Sequence, residues 1–199
     1  NPQSTDSLLN LGQVQMHLGR NNDAIESFIR ALEIDPTNAE AWYLKGTAVF
    51  GLDEFEDAIE AFNHAIEIRP EFISAYYEKG RALSRLAMYT EAVLSFDNAL
   101  SFQPNFVDAL QYKGLAQIQL GRFEDAEYSF DQALRIRPNN GHIWTGKGIT
   151  LFKRGKYAEG ISFFRKALAI DSRNAHANYY LGLSLVRIGN CHEAMKYFD

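Results

Sequence analysis

The chain has few of the residues that mark several large classes of protein. A single cysteine, Cys191, excludes an internal disulfide and is typical of a reducing compartment, so we expect a cytoplasmic location. No apolar run approaches the roughly 20 residues of a membrane-spanning helix, which predicts no membrane partner. Basic residues are outnumbered, 20 against 25 acidic ones, and the resulting net charge of −5 argues against a nucleic-acid or anionic-lipid surface.

Catalytic and metal-binding signatures are also missing. The sequence has no glycine-rich phosphate loop, and no nucleophile comes with a base that would activate it. His142 and His176 stand at the same place in neighbouring repeats, but two histidines without a carboxylate or cysteine ligand make a poor metal site. We therefore predict a protein that is not an enzyme and that holds no cofactor and no metal.

Glycine, in contrast, recurs along the chain at a fixed interval of 34 residues. The recurring glycines are Gly12, Gly46, Gly80, Gly114, Gly148 and Gly182. Such self-similarity is typical of a repeat array, in which one unit cannot bury its apolar face alone and a core forms by stacking neighbours. The sequence predicts a single array over residues 1–199, with repeats at 5–38, 39–72, 73–106, 107–140 and 141–174 and an incomplete repeat at 175–199.

Phenylalanine, alanine and proline keep the same register. Counting Thr5 as position one, position 24 is Phe28, Phe62, Phe96, Phe130, Phe164 and Phe198 in the six repeats. Position 27 is alanine in the first five repeats, and position 32 is proline in the first four. We expect the phenylalanines to lie in the core and the prolines to end helices, because proline lacks a backbone N–H.

Each repeat contains two stretches in which apolar residues follow a helical spacing. In the second repeat these stretches are 39–52 and 56–68. The connection of about three residues between them, 53–55, permits only an antiparallel helical hairpin. Glycine inside a helix costs roughly 1 kcal/mol relative to alanine. Six such glycines therefore predict a close approach of helices, with Phe62 filling the space beside Gly46 in the second repeat.

This combination of residues resembles the tetratricopeptide repeat. The resemblance rests on an aromatic residue at position four (Trp42, Tyr76 and Trp144) and on the glycine, alanine, phenylalanine and proline positions above, and it covers nearly the whole chain. It implies an all-α fold, a right-handed superhelical solenoid of antiparallel helix pairs whose first helices line a concave groove. Lysine at position seven, where the family usually has leucine, is a modest departure.

The resemblance also implies which residues contact a ligand, because the family uses positions two, five, nine, twelve and thirteen of the first helix. The predicted peptide-binding residues are Tyr43, Thr47, Phe50, Tyr77, Arg81, Arg85, Gln111, Phe152, Lys153, Tyr179 and Arg187. Tyrosine offers a large, rigid contact area, and two arginines four residues apart on one helical face suit a carboxylate. Two alternatives stay open: the phenylalanines pack between helices, or the tyrosines and arginines form a solvated face.

These features predict a protein-interaction scaffold or adaptor. We expect it to hold a peptide segment of a protein partner in the concave groove, and we expect that peptide to be apolar and partly acidic. An alternative is the regulatory or targeting module of a larger enzyme whose catalytic domain lies outside this chain.

The last repeat stops inside its second helix. Met195 and Phe198 are then left without a covering helix, whereas repeat arrays normally need a polar capping repeat. We therefore expect a segment of a longer protein that self-associates weakly through this repeat. Cys191 takes the place that Phe55 has in the second repeat, which predicts an apolar packing role.

Overall fold

The computed structural model describes residues 4–198, which form helices and no strand. The first helices of the six repeats are α1 (Thr5–His17), α3 (Ala39–Phe50), α5 (Ile73–Arg85), α7 (Val107–Gln119), α9 (Gly141–Lys153) and α11 (Ala175–Arg187). The second helices are α2 (Asn21–Ile34), α4 (Phe55–Ile68), α6 (Tyr89–Phe102), α8 (Phe123–Ile136), α10 (Tyr157–Ile170) and the short α12 (Cys191–Ala194), which a 3₁₀ turn (Met195–Tyr197) extends. The prediction of an all-α fold is confirmed.

The chain divides after Pro104 into two compact units. The first unit contains α1 to α6, and the second unit contains α7 to α12. Within each unit the two helices of a repeat pack side by side, and the second helix also packs on the first helix of the next repeat. The first helices of successive repeats in a unit touch as well, so they share one surface. The single array over residues 1–199 stays a prediction.

Contacts between glycine and phenylalanine fill the interior of each repeat. Five of the position-24 phenylalanines, Phe28, Phe62, Phe96, Phe130 and Phe164, are fully buried. A Cβ atom added to Gly80 would lie 2.6 Å from Cε1 of the Phe96 ring, and one added to Gly46 would lie 2.7 Å from Cε1 of Phe62. These distances are shorter than van der Waals contact. The expected close approach is therefore confirmed.

The turn between the two helices of the second repeat is one residue longer than the three residues expected, because α3 already ends at Phe50. Phe55 is already the first residue of α4, so the turn spans residues 51–54. Its sharp reversal uses a left-handed residue at position 15 of the repeat. Four repeats have glycine there, but Asp53 has a φ of 62° and Ala87 a φ of 58°. Such a conformation is unfavourable for any residue with a Cβ atom.

The last repeat differs from the other five. Its second helix is only four residues long, and it packs on α11. Phe198 is 48% exposed, unlike its five equivalents, and Met195 is 58% exposed. Cys191 is exposed at the start of α12, so the predicted apolar packing role is wrong. Self-association through this repeat stays a prediction.

Two glycine-to-alanine substitutions test the close-approach account. Gly80→Ala should destabilise the fold by about 1–3 kcal/mol, because the buried Phe96 ring occupies the space of the new methyl group. Gly160→Ala is the matched control, since its Cβ would lie 3.6 Å from the Phe164 ring and 3.3 Å from the carbonyl oxygen of Gly148, and alanine already fits at the equivalent Ala58. We expect Gly160→Ala to be neutral or stabilising by about 0.5–1 kcal/mol.

The free energy of unfolding in urea measures both changes. Equal effects of the two substitutions, or a Gly80→Ala protein as stable as the parent, would contradict the account.

Candidate functional site

Six of the predicted residues gather on one surface of the first unit, where α3 and α5 touch. We call this surface the first-unit face: Tyr43, Thr47, Phe50, Tyr77, Arg81 and Arg85. The guanidinium carbon of Arg81, on α5, lies 4.9 Å from the centroid of the Phe50 ring, on α3, and 5.8 Å from that of Tyr77. Arg81 thus bridges the two helices through their aromatic rings.

Tyr43 is held in place by neighbouring rings. It is half-buried, with its ring centroid 5.0 Å from Phe72 and 6.1 Å from Phe62. Burial raises the pKa of the Tyr43 phenol above its usual value, and the nearby carboxylate of Glu78 adds to the shift. The Thr47 hydroxyl donates a hydrogen bond of 2.9 Å to the carbonyl oxygen of Tyr43. Tyr43 is therefore a firmly packed side chain of the first-unit face and is not freely solvated.

Glu78 also belongs to this site, although the sequence did not single it out. Nη1 of Arg81 donates to both carboxylate oxygens of Glu78, at 2.8 and 3.1 Å. The Glu78 side chain is only 14% exposed, and burial raises its pKa while the charge of Arg81 opposes that rise. An acidic and a basic residue three positions apart on one helix were the available signal. The Arg81 guanidinium is thus already engaged by an internal carboxylate.

Arg85 is the more accessible cation of the pair. Its guanidinium carbon lies 4.5 Å from the centroid of the Phe55 ring, and its Nη2 donates to Oδ1 of Asp53 at 3.0 Å. Both partners of this ion pair are largely exposed, so the pair contributes little to stability. A carboxylate from a ligand can compete with Asp53 for Arg85.

In the second unit, Gln111 lines a cleft of ≈ 180 Å³ between α7, α9 and α11. The other lining residues are Leu115, His142, Thr145, Gly146, Ile149 and His176. The two histidines thus share a cleft, as their register indicated. Over residues 4–198, no cluster of three or more histidine, cysteine or acidic side chains is placed to hold a metal ion.

The remaining predicted residues lie along α9 and α11. The ring of Phe152 makes edge-on contacts with Tyr157 and Tyr180, at centroid distances of 5.1 and 5.2 Å. The guanidinium carbon of Arg187 lies 6.0 Å from the centroid of the Tyr157 ring, and Lys153 is exposed. Tyr179 is 52% exposed and contacts Tyr180 and Phe198, away from the cleft residue Gln111.

No described helix combines the length and the apolar composition that a membrane crossing requires.

Three family models, each described as a tetratricopeptide repeat, match the chain. One matches residues 2–71 and 145–199, a second matches residues 73–106, and a third matches residues 107–140. Together they account for almost every residue, in agreement with the resemblance drawn from the sequence. No curated protein sequence matches the chain significantly.

Several solved structures share the fold at low sequence identity. A tetratricopeptide repeat protein from Parabacteroides merdae has a TM-score of 0.86 at 21% identity, over 98% of this chain and 77% of its own. PilW, a type IV pilus biogenesis factor, has a TM-score of 0.87 at 23% identity, over 97% and 90%. YrrB, described as a repeat protein of this kind with an unusual peptide-binding site, has a TM-score of 0.76 at 19% identity, over 89% and 91%.

Removing the guanidinium group of Arg81 should leave burial as the main influence on the pKa of Glu78. We expect Arg81→Gln to raise the pKa of the Glu78 carboxyl further above its ordinary 4.5, because the charge and the two hydrogen bonds that favour the carboxylate are lost. A ¹³C NMR titration of the carboxyl carbon measures this pKa. Arg30→Gln, at an exposed position on α2, is the control and should leave it unchanged. A pKa that stays or falls in Arg81→Gln contradicts the assignment.

The raised pKa of Glu78 in the folded protein also makes the free energy of unfolding depend on pH. The folded state holds the Glu78 proton more tightly than the unfolded state, so the contribution of Glu78 to stability declines as pH rises from about 4.5 through the folded-state pKa. Glu78→Gln should lack this decline when unfolding free energies are compared across that range.

Proposed function

Because the chain belongs to the tetratricopeptide repeat family, we propose that it is a protein-interaction scaffold that binds a peptide segment of a partner on the first-unit face. The observation that carries this proposal is that Arg81 lies over the rings of Phe50 and Tyr77 and so joins α3 and α5, while the Tyr43 ring packs on Phe72. Preset aromatic side chains lose little conformational entropy on binding and dominate interface energies. YrrB, a tetratricopeptide repeat protein of the same fold with an unusual peptide-binding site, supports the same interpretation.

The ligand we propose is apolar with one carboxylate. Its apolar side chains pack on Phe50 and Tyr77, which are half-buried and keep part of their rings at the surface. Its carboxylate replaces Asp53 on Arg85, because that ion pair is exposed and weak. Arg81 keeps its pair with Glu78 and acts on the ligand through the rings it covers.

Two further expectations belong to this proposal. We place the protein in the cytoplasm, on the strength of its single cysteine. If the chain is instead the regulatory or targeting module of a larger enzyme, it uses the same face, and the difference lies in residues outside this chain.

Peptide selection tests the first-unit face directly. Peptides from a random phage-displayed library are selected on the 199-residue protein and their affinities measured by fluorescence anisotropy. We expect Tyr77→Ala and Arg85→Ala to weaken binding by about 1–2 kcal/mol, roughly 5- to 30-fold, while circular dichroism confirms intact helices.

Arg30→Ala is the matched control for Arg85→Ala, since it removes an exposed arginine from a second helix of the same unit. Selected peptides whose affinity falls with Arg30→Ala and not with Tyr77→Ala or Arg85→Ala would show that the ligand uses the second helices, and the proposal would be wrong.

A further inference from the structure

We propose that the second unit carries a separate peptide site for an aliphatic side chain followed by internal aspartate or glutamate residues. We call this surface the second-unit face: His142, Ile149, Phe152 and Lys153 on α9, and His176 and Arg187 on α11. The inference rests on the proposed function, because both sites lie on first helices. Its residues and its ligand are different.

Charge separates the two units. Residues 1–104 contain 16 acidic and 7 basic residues, a formal charge of −9, whereas residues 105–199 contain 9 acidic and 13 basic residues, a formal charge of +4. The second unit is therefore basic, although the whole chain has a net charge of −5. An acidic ligand is attracted to the second unit and repelled by the first.

The basic residues of the second-unit face differ from those of the first-unit face in their acidic neighbours. Neither α9 nor α11 contains an acidic residue. Among the described residues, Lys153 and Arg187 take part in no ion pair, whereas Arg81 and Arg85 of the first unit are paired with Glu78 and Asp53. Two unneutralised cations at the same position of adjacent helices favour a ligand that supplies the missing carboxylates.

An apolar cleft lies on the same surface. It is the cleft of ≈ 180 Å³ that Leu115 and Ile149 line, with Gln111, His142 and His176 as its polar groups. Gly146 also lines the cleft, and the space that a Cβ atom would take there is occupied by the Phe130 ring, whose Cζ would lie 2.6 Å from it. The volume suits one aliphatic side chain, and the polar groups can bond the backbone of an extended peptide.

A buried hydrogen bond fixes the shape of the cleft. Nδ2 of Asn174 donates to the hydroxyl oxygen of Thr145 at 3.1 Å, and Oδ1 of Asn174 accepts from the backbone N–H of Ala177 at 3.0 Å. Asn174 therefore joins the start of α11 to the wall of α9. Because Asn174 and Thr145 are both buried, the two helices cannot slide without breaking this bond.

The distance between Ile149 and Lys153 along α9 determines how far apart the aliphatic and acidic residues of the peptide must be. Lys153 follows Ile149 by four residues on the same face of α9, a rise of about 6 Å. An extended peptide advances about 3.3 Å per residue, so its acidic residues follow the aliphatic residue by about two positions. The residue between them meets Phe152, and Arg187 lies beside Phe152 through their shared neighbour Tyr157.

The probe is an N-acetylated, C-amidated peptide with the sequence Gly-Ser-Leu-Phe-Glu-Glu-Ser-Gly. Its affinity for the 199-residue protein is measured by fluorescence anisotropy, and its position by ¹H–¹⁵N NMR. We expect amide shifts on α9 and α11, and a loss of affinity of roughly tenfold or more in the double variant Lys153→Glu, Arg187→Glu. Replacing both glutamates of the peptide by glutamine should have a comparable effect.

Arg135→Glu, an equal charge change at an exposed position on α8, is the matched control for each reversal and should weaken binding much less. Arg85→Ala should leave this peptide unaffected, so failure of the first-unit face and failure of the second-unit face are distinguishable. Absence of binding at millimolar peptide, shifts confined to α3 and α5, or an affinity that ignores the double variant each overturns the inference. So does binding that appears only when the peptide ends in a free carboxylate.

Discussion

The contact between a helical glycine and the buried phenylalanine of the same repeat is the constraint on which the structure depends. It brings the two helices of a pair so close that a methyl group at Gly80 would overlap the Phe96 ring. This close approach determines which side of each first helix is buried against its partner helix. The other side of each first helix lies on the surface that successive first helices form together. Both proposed binding faces are consequences of this packing, since their residues occupy the positions that the contact leaves outside.

The same packing supports two surfaces of different chemistry. In the first unit, a buried carboxylate, Glu78, engages Arg81 and adds to a strongly acidic surrounding. In the second unit, α9 and α11 have no acidic residue, and an apolar cleft lies beside Ile149 of α9. A core built from a few repeated residues thus leaves the remaining positions free to change their charge without altering the fold.

The repeated positions made the fold predictable from the sequence, because six copies of one pattern reinforce each other where a single motif would be weak. Predictions that rested on one residue, without a repeated pattern behind it, were less successful. The role of Glu78 could not be predicted because it depends on burial and on the contact with Arg81, and the cleft could not be predicted because residues of three helices, α7, α9 and α11, line it together. The prediction for Cys191 was wrong because it took the repeat position as sufficient: Phe55, at the same position, packs on Phe50 and Arg85, whereas Cys191 is exposed.

The left-handed turn at Asp53 links backbone strain to the surface chemistry of the first unit. Four equivalent turns have glycine, so aspartate at this place costs about 1 kcal/mol and in return supplies the carboxylate that pairs with Arg85. The genetic code separates aspartate from glycine by one base. A single base change can therefore add or remove the Asp53 carboxylate, which competes with the ligand for Arg85. The change from aspartate to glycine also removes the backbone strain of the left-handed turn. Ligand affinity and fold stability can then increase together.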